Sequence, residues 1–422
     1  MKPLYFDANH TVPMDAKAVD AMVRWCNRDE DDAQKMLDAF REEIATECSF
    51  ETNGPGNLNY AVVFTSGASE ANSFVVTGAV RRYAARTGRL PHVVVSAVEH
   101  RSLLECCEAL AAEKLCQLTV LQVEPIIGTV SSETLERALR PNTCLVSIIA
   151  VSGDTGVLNN LRALAAVAKA KAIPFHTDAA QLFGRSALRP TAHGIDAFSV
   201  SFHKMGGSPG AGALVLRRAF ADGYGLMELR QGGGAENVPG LGASYAAFRL
   251  AMHDRASKGA RVQRLRDAVW SGLKARFPCF FVVDHPADKQ PSIDGGITPS
   301  PGRPYEGSAE ARRALATGKK NRTPVIFWVA PLETVRIMPN TLLLAVRKKG
   351  FSGRRAQAAL AKRGVKVGTP DADLGAVLGL PAALHRGLLR MSLCDSTTAE
   401  EVSELVRHLC VVLVSDEALT QK

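Results

Sequence analysis

The sequence has no CxxC pair, no run of eighteen uncharged apolar residues, no internal repeat and no long basic block. Each absence removes a class of protein. Cys106 and Cys107 are merely adjacent, so no zinc knuckle is read, and no metal site is expected. The nine cysteines are odd in number and scattered, which reads as reduced thiols, most of them small core residues. Without a long apolar run there is no candidate transmembrane helix. The first residues, Met1-Lys2-Pro3-Leu4-Tyr5-Phe6-Asp7, meet an acid before any apolar signal core. A soluble, cytoplasmic protein with no membrane partner is the expectation. Basic residues exceed acidic ones by nine (51 − 42), yet the densest clusters, Arg347-Lys348-Lys349 and Arg354-Arg355, are short. They read as a solvated surface, so no nucleic-acid partner is expected.

What is present is a globular composition. Of 422 residues, 46% are hydrophobic and 22% charged, enough for a large buried core. Over the first 250 residues, short apolar runs alternate with helical patterns. Val62-Val63-Phe64, Val93-Val94-Val95, Leu145 to Ile149, Ile173 to His176 and Ala197 to Ser201 read as strands. Leu158 to Ala172 reads as a helix, with apolar Leu161, Leu164 and Ala168. Such alternation predicts an α/β fold with a mainly parallel sheet covered on both faces, and ligands at the carboxyl ends of its strands. A helical segment from about Pro239 to Phe277 could join two domains. Residues 285–324, rich in Pro, Gly and Ser, read as an inserted loop with a short helix near Ala309–Ala316. Strand-like Val325 to Val329 and Thr341 to Val346, and helical Gly353 to Arg363, suggest a smaller α+β domain. The expected division is 12–255 for the large domain, and 1–11 with 256–422 for the small one.

Three stretches could carry chemistry. In Phe64-Thr65-Ser66-Gly67-Ala68-Ser69-Glu70-Ala71-Asn72 a strand ends, a Gly turns and a helix begins. The N–H groups of a helix start suit a phosphate, and Ser69 adds a hydroxyl; an ordinary N-cap reads equally well from this motif alone. In Phe175-His176-Thr177-Asp178-Ala179-Ala180-Gln181 a buried strand ends in an acid, which needs a cationic partner such as a pyridinium nitrogen. By itself Asp178 could equally cap a helix. In Phe198-Ser199-Val200-Ser201-Phe202-His203-Lys204-Met205-Gly206-Gly207 a strand ends just before a lysine. Desolvation there would lower its pKa and make the amine nucleophilic, although a lone lysine is usually a solvated surface group.

Taken in order, these stretches resemble the class V aminotransferase branch of fold-type I pyridoxal 5′-phosphate (PLP) enzymes, and within it the NifS-like cysteine desulfurase family. The similarity spans most of the chain apart from residues 285–324. It also rests on Tyr5-Phe6-Asp7, Ser96-Ala97-Val98-Glu99-His100, Glu236-Asn237-Val238 and Leu389-Arg390-Met391-Ser392-Leu393. The resemblance implies that Lys204 holds PLP as a Schiff base and shuttles protons. His100 would stack on the ring, Asp178 would pair with its nitrogen and Gln181 would bond its oxygen. Ala68, Ser69, Ser201 and His203 would hold the phosphate. Arg390 would grip the substrate carboxylate, where its planar fork fits two oxygens. A homodimer with active sites near the subunit interface is implied too.

The sequence departs from the family in ways that bear on the reaction. Desulfurases carry a loop cysteine that takes sulfur as a persulfide, in a segment reading roughly Ser-Gly-Ser-Ala-Cys. The matching stretch, Gly364 to Asp373, has none, and no cysteine lies between Cys279 and Cys394. Cys394, four residues after Arg390, reads as a buried structural thiol. The family's Asn-Asn-Glu-Thr-Gly appears as Ser152-Gly153-Asp154-Thr155-Gly156, and Gly-Thr-Glu-Asn as Gly234-Ala235-Glu236-Asn237. The acidic Asn27 to Asp32 replaces a glycine-asparagine-proline-serine segment. The expected activity is PLP-dependent chemistry on a small amino acid, cysteine or a related sulfur amino acid, through a Cα carbanion, desulfurase-like or as a carbon–sulfur lyase. A sulfur acceptor protein is a partner only if persulfide transfer occurs. The alternatives are an impaired scaffold of the same fold, or a class V aminotransferase with a non-sulfur substrate.

Overall fold

Valine-rich segments bounded by turns form strands here because branched side chains fit a pleated surface packed on both faces. A computed structural model describes residues 3–49, 60–125, 127–224, 236–281, 324–329 and 336–415. The strands are β1 (Leu4–Phe6), β2 (Tyr60–Thr65), β3 (His92–Ser96), β4 (Gln117–Leu121), β5 (Thr143–Ser147), β6 (Phe175–Asp178) and β7 (Ala197–Ser201). They continue with β8 (Gly212–Arg217), β9 (Cys279–Phe281), β10 (Val325–Trp328), β11 (Thr341–Arg347), β12 (Val365–Val367) and β13 (Leu388–Ser392).

Seven strands form one sheet in the order β2-β8-β7-β6-β5-β3-β4. All neighbours are parallel except β8, which runs antiparallel to both β2 and β7. Helices Ala68–Thr87, Arg101–Ala112 and Leu161–Ala170 are the crossovers that parallel pairing requires. The period of two sends neighbours to opposite faces: Val62, Phe64 and Val94 join one buried cluster, and Val63, Val93 and Val95 the other. This is the fold-type I arrangement expected from the alternating pattern.

The expected strands are present with small shifts at their ends. Two strands of the large sheet were not foreseen. Strand β4 lies at the sheet edge, half exposed, so its apolar signal is diluted. Strand β8 follows a Gly-rich turn, and its first residue must be glycine: a Cβ on Gly212 would stand 2.5 Å from the Gly67 Cα. The helical stretch expected near 239–277 is two helices, Val238–Met252 and Arg255–Lys274, broken at Asp254, where φ is +51°. All but the last residue of the insertion expected at 285–324, including the stretch near Ala309–Ala316 where a short helix was expected, and Gly234 and Ala235 lie outside the described residues.

A second sheet, β13-β11-β10-β9, packs against helices Arg255–Lys274, Gly353–Lys362 and Ala399–Val414 around its own core of Trp270, Trp328, Leu342 and Leu405. Strand β1 pairs in parallel with β12, and Asp7 then bridges to Ser392 at the end of β13. From there residues 8–11 cross to the carboxyl edge of the large sheet: Asn9 N–H donates to Ser392 Oγ, while Val12 N–H donates to the His203 carbonyl. This thread places the two sheets' functional residues together. Among the described residues no helix is long and apolar enough to cross a membrane.

Candidate active site

The carboxyl ends of β2, β3, β6 and β7 deliver the predicted side chains to one edge. Asp178, the last residue of β6, is buried, and its two oxygens accept hydrogen bonds from neutral donors: Asn72 Nδ2 at 2.7 Å and Ala180 N–H at 2.9 Å. Asn72 sits one turn into the Ala68–Thr87 helix and is fully buried. The first turn of that helix has no side-chain cap, so its N–H groups keep their capacity for an anion. Ser201, at the end of β7, faces this turn: a Cβ on Gly67 would stand 3.7 Å from Ser201 Oγ. Ala68 is buried and Ser69 exposed in the same turn. His100 follows β3 as an exposed N-cap, its Nδ1 accepting from Ser102 N–H at 3.2 Å.

Lys204 lies in the single 3-10 turn after β7. Its Nζ donates to the carbonyls of Asn9 and, at 2.8 Å, His10. Burial, then the positive charges of Arg185 and Arg390, lower its pKa to about 7, against the pull of Asp178 and Asp7. An amine in this state is largely neutral just above pH 7 and can act as nucleophile or base. His203, beside it, meets Thr11 Oγ1 through Nδ1 at 2.9 Å, and burial followed by the Lys204 charge holds its pKa down at about 4. It is therefore a neutral hydrogen-bonding group. Gln181 donates to the Asn9 carbonyl at 2.8 Å and accepts from Arg185 at 2.8 Å. Arg185 also donates to the Ala8 and Lys204 carbonyls, which ties the N-terminal thread to the lysine turn.

Arg390, in β13, arrives from the second sheet. It is buried, with NH2 2.8 Å from Asp7 Oδ1 and NH1 2.5 Å from Asp154 Oδ1. NH1 also reaches the Gly153 carbonyl at 3.3 Å. Cys394, just beyond β13, is buried, with its Sγ 3.2 Å from Ser396 Oγ. It shares a cleft of about 590 Å³ with Lys204, Arg185 and Tyr5. His100, Asp178 and Gln181 do not line that cleft. The segment from β12 to Asp373 contains no thiol.

The structure thus gathers Asp178, Ser201, His203, Lys204, Gln181 and the 67–69 turn on one sheet edge, with Arg390 meeting them across residues 7–11. Sequence reading missed four residues. Asn72 lay inside the quoted Phe64–Asn72 stretch and was signalled by a polar residue on a helix face that packs on the sheet. Asn9 and Arg185 act through backbone carbonyls, which no motif records. Glu99 preceded the singled-out His100; its Oε1 accepts from Ile149 N–H at 2.6 Å and from Ser96 Oγ. Burial pushes its pKa up to about 8, partly offset by those bonds and reinforced by Asp178.

A lysine in the turn after one strand and an aspartate at the end of the adjacent one, below an uncapped helix start, are the arrangement of a class of PLP fold. Residues 17–279 match the family model described as aminotransferase class-V. The chain belongs to that family, in its NifS-like branch. Cysteine desulfurase IscS of Shewanella amazonensis is 30% identical over 297 residues, 64% of this chain and 69% of the relative. IscS of Aeromonas salmonicida is 30% identical over 296 residues, with the same coverage of 64% and 69%. Among solved structures, a NifS-like protein superposes with a TM-score of 0.75 at 21% identity, covering 97% of this chain and 99% of the other. A NifS-like protein from Rickettsia africae gives 0.73 at 18% identity, covering 97% and 99%. These two bear on the fold. Members of the family use PLP, and the residues present fit that group: a buried carboxylate with only neutral donors, a depressed lysine and open N–H groups.

Proposed function

We propose that this chain is a PLP-dependent enzyme that acts on a small α-amino acid, cysteine or a related sulfur amino acid, and releases sulfur directly. The observation that carries the reading is the buried Lys204 amine, lowered to about pKa 7, in the turn that follows β7, the strand next to the one that ends in Asp178. Bound PLP would supply an electron sink for the pair left at the substrate Cα.

The chain's own residues supply the rest. Asp178, oriented by Asn72 Nδ2, holds a proton on the ring nitrogen. The first-turn N–H groups at Ala68 and Ser69, with Ser201 and His203, hold the phosphate. His100 and Gln181 would help to hold the ring. Arg390 receives the substrate α-carboxylate. Lys204, neutral at its working pH, holds the cofactor and takes the proton from Cα. Proximity of an aligned base to that proton supplies much of the rate.

The 365–373 segment has no cysteine to carry a persulfide, so release of sulfide with formation of pyruvate and ammonia is the reaction favoured over a relay to an acceptor protein. The reading also takes the protein to be a cytoplasmic homodimer, as the family resemblance implies. The test is an amino-acid panel assayed for sulfide, pyruvate, alanine and keto acids. Sulfide and pyruvate in equal amounts from cysteine are expected. Alanine in place of pyruvate would reassign it as a desulfurase, a keto acid without sulfide as an aminotransferase. No product with PLP bound would refute turnover.

A further inference from the structure

Arg390 carries two acids, and the two are not equivalent. The Asp7 side chain is 8% exposed and the Asp154 side chain 21%. Asp7 is fixed further by its bridge to Ser392, and Gly368 presses against the pair: a Cβ there would stand 2.7 Å from Asp7 Oδ1. Asp154 sits on the short Ser152–Gly156 turn, and its second oxygen, Oδ2, accepts from the backbone N–H of Asp371 at 3.3 Å. One carboxylate thus joins the guanidinium to the segment that follows β12. That segment is anchored at its start, where Gly368 and Arg390 exchange backbone hydrogen bonds at 2.9 Å. Beyond it, Asp371 is exposed.

Two carboxylates against one buried guanidinium leave an excess negative charge. Burial raises the pKa of Asp154, against the pull of Arg390, so the site holds this charge at a cost. An incoming α-carboxylate has the charge and the oxygen geometry of Asp154. It can replace it on NH1 with no change in local charge and no proton transfer.

We propose that Asp154 is a displaceable latch: the substrate α-carboxylate takes its place on Arg390, and the same step releases the Asp371 amide and the segment around it. The inference rests on Arg390 as the carboxylate site, as proposed above. It makes Asp154 a positioning residue that sets substrate affinity and couples binding to opening of the 369–373 segment. A purely structural acid at this place would do the reverse: its removal would loosen Arg390 and weaken binding.

The test uses the holoenzyme and propionate, a carboxylate with no amine, so that the result does not depend on chemistry at Lys204. Ligand-observed NMR gives its dissociation constant, and hydrogen exchange follows the 369–373 amides. Asp154→Asn should bind propionate about tenfold more tightly, because one charged competitor is gone. In the unmutated protein, saturating propionate should speed exchange at Asp371, a readout that needs no variant. Equal or weaker binding by Asp154→Asn, or exchange at Asp371 unmoved by propionate, overturns the latch. Arg390→Lys separates the two ideas: if it binds propionate as well as the unmutated protein, the carboxylate site itself is wrong and the latch falls with it.

Discussion

The carboxyl edge of the large sheet and the corner around Arg390 are built differently. The edge takes Asp178 and Ser201 from the ends of two adjacent strands and Lys204 from the turn after the second, with Asn72 and the 67–69 turn packed directly above them. Its polar groups lie within a short span of a rigid element, and Asp178 and Lys204 are both held by neutral partners. The Arg390 corner gathers residues from 7–9, 153–154, 368–371 and 390, which meet only when the chain has closed on itself. Its groups are charges that hold one another. The comparison teaches that a cofactor which never leaves can be held by fixed geometry. On the reading proposed above, a substrate that must come and go is met by ion pairs that can be exchanged.

The sharpest way to break the comparison is to remove the edge and ask whether the corner survives. Lys204→Ala should lower turnover about a thousandfold or more, and Asp178→Asn about a hundredfold. Both should leave propionate binding at Arg390 unchanged; a loss of that binding would show that the two regions are one unit. Attachment of PLP to the apoprotein should also follow the neutral amine. Its rate should fall about tenfold per pH unit below pH 7 and level off above it, as a lysine of pKa about 7 dictates. A rate still rising at pH 9 would contradict the depressed amine.

The next effect belongs to Glu99, under the edge. Its carboxyl ionises near the ordinary 4.5 in the unfolded chain and near 8 when folded. Between those values the fold keeps a proton that the unfolded chain releases, so stability from this group falls as pH rises from about 5 to 8. Glu99→Gln should remove that slope, on the order of a few kcal/mol across the window. Thermal unfolding of both proteins at pH 5 and pH 8 measures it, and parallel pH trends would show that Glu99 is ionised in the fold. The smallest effect is expected at Cys394→Ser, where sulfur release should be unchanged within experimental error. A large loss would bring the Cys394 cleft into the reaction.

Most of the edge was legible in the sequence, because strand ends, a Gly turn and a helix start are local signals. Val93-Val94-Val95 announced a strand, while Asp178 and Lys204, at and just past the ends of theirs, were ambiguous alone and were singled out by the family resemblance. The corner was only half legible. Arg390 stood out through the family resemblance, but its ion pairs with Asp7 and Asp154 join residues 383 and 236 positions apart, and nothing local encodes them. Asn9 and Arg185 were silent for a related reason: Asn9 serves the site by accepting at its own backbone carbonyl and Arg185 by donating to those of Ala8 and Lys204, and the position of a carbonyl depends on the fold and not on the neighbouring letters.

The covalent attachment of PLP is the point on which the rest turns. Borohydride reduction of the holoprotein, followed by digestion and mass spectrometry, would locate it. The account predicts one pyridoxyl-phosphate addition, on the peptide that contains Lys204, and none in Lys204→Ala. An addition on another lysine, or equal labelling of the variant, would contradict it.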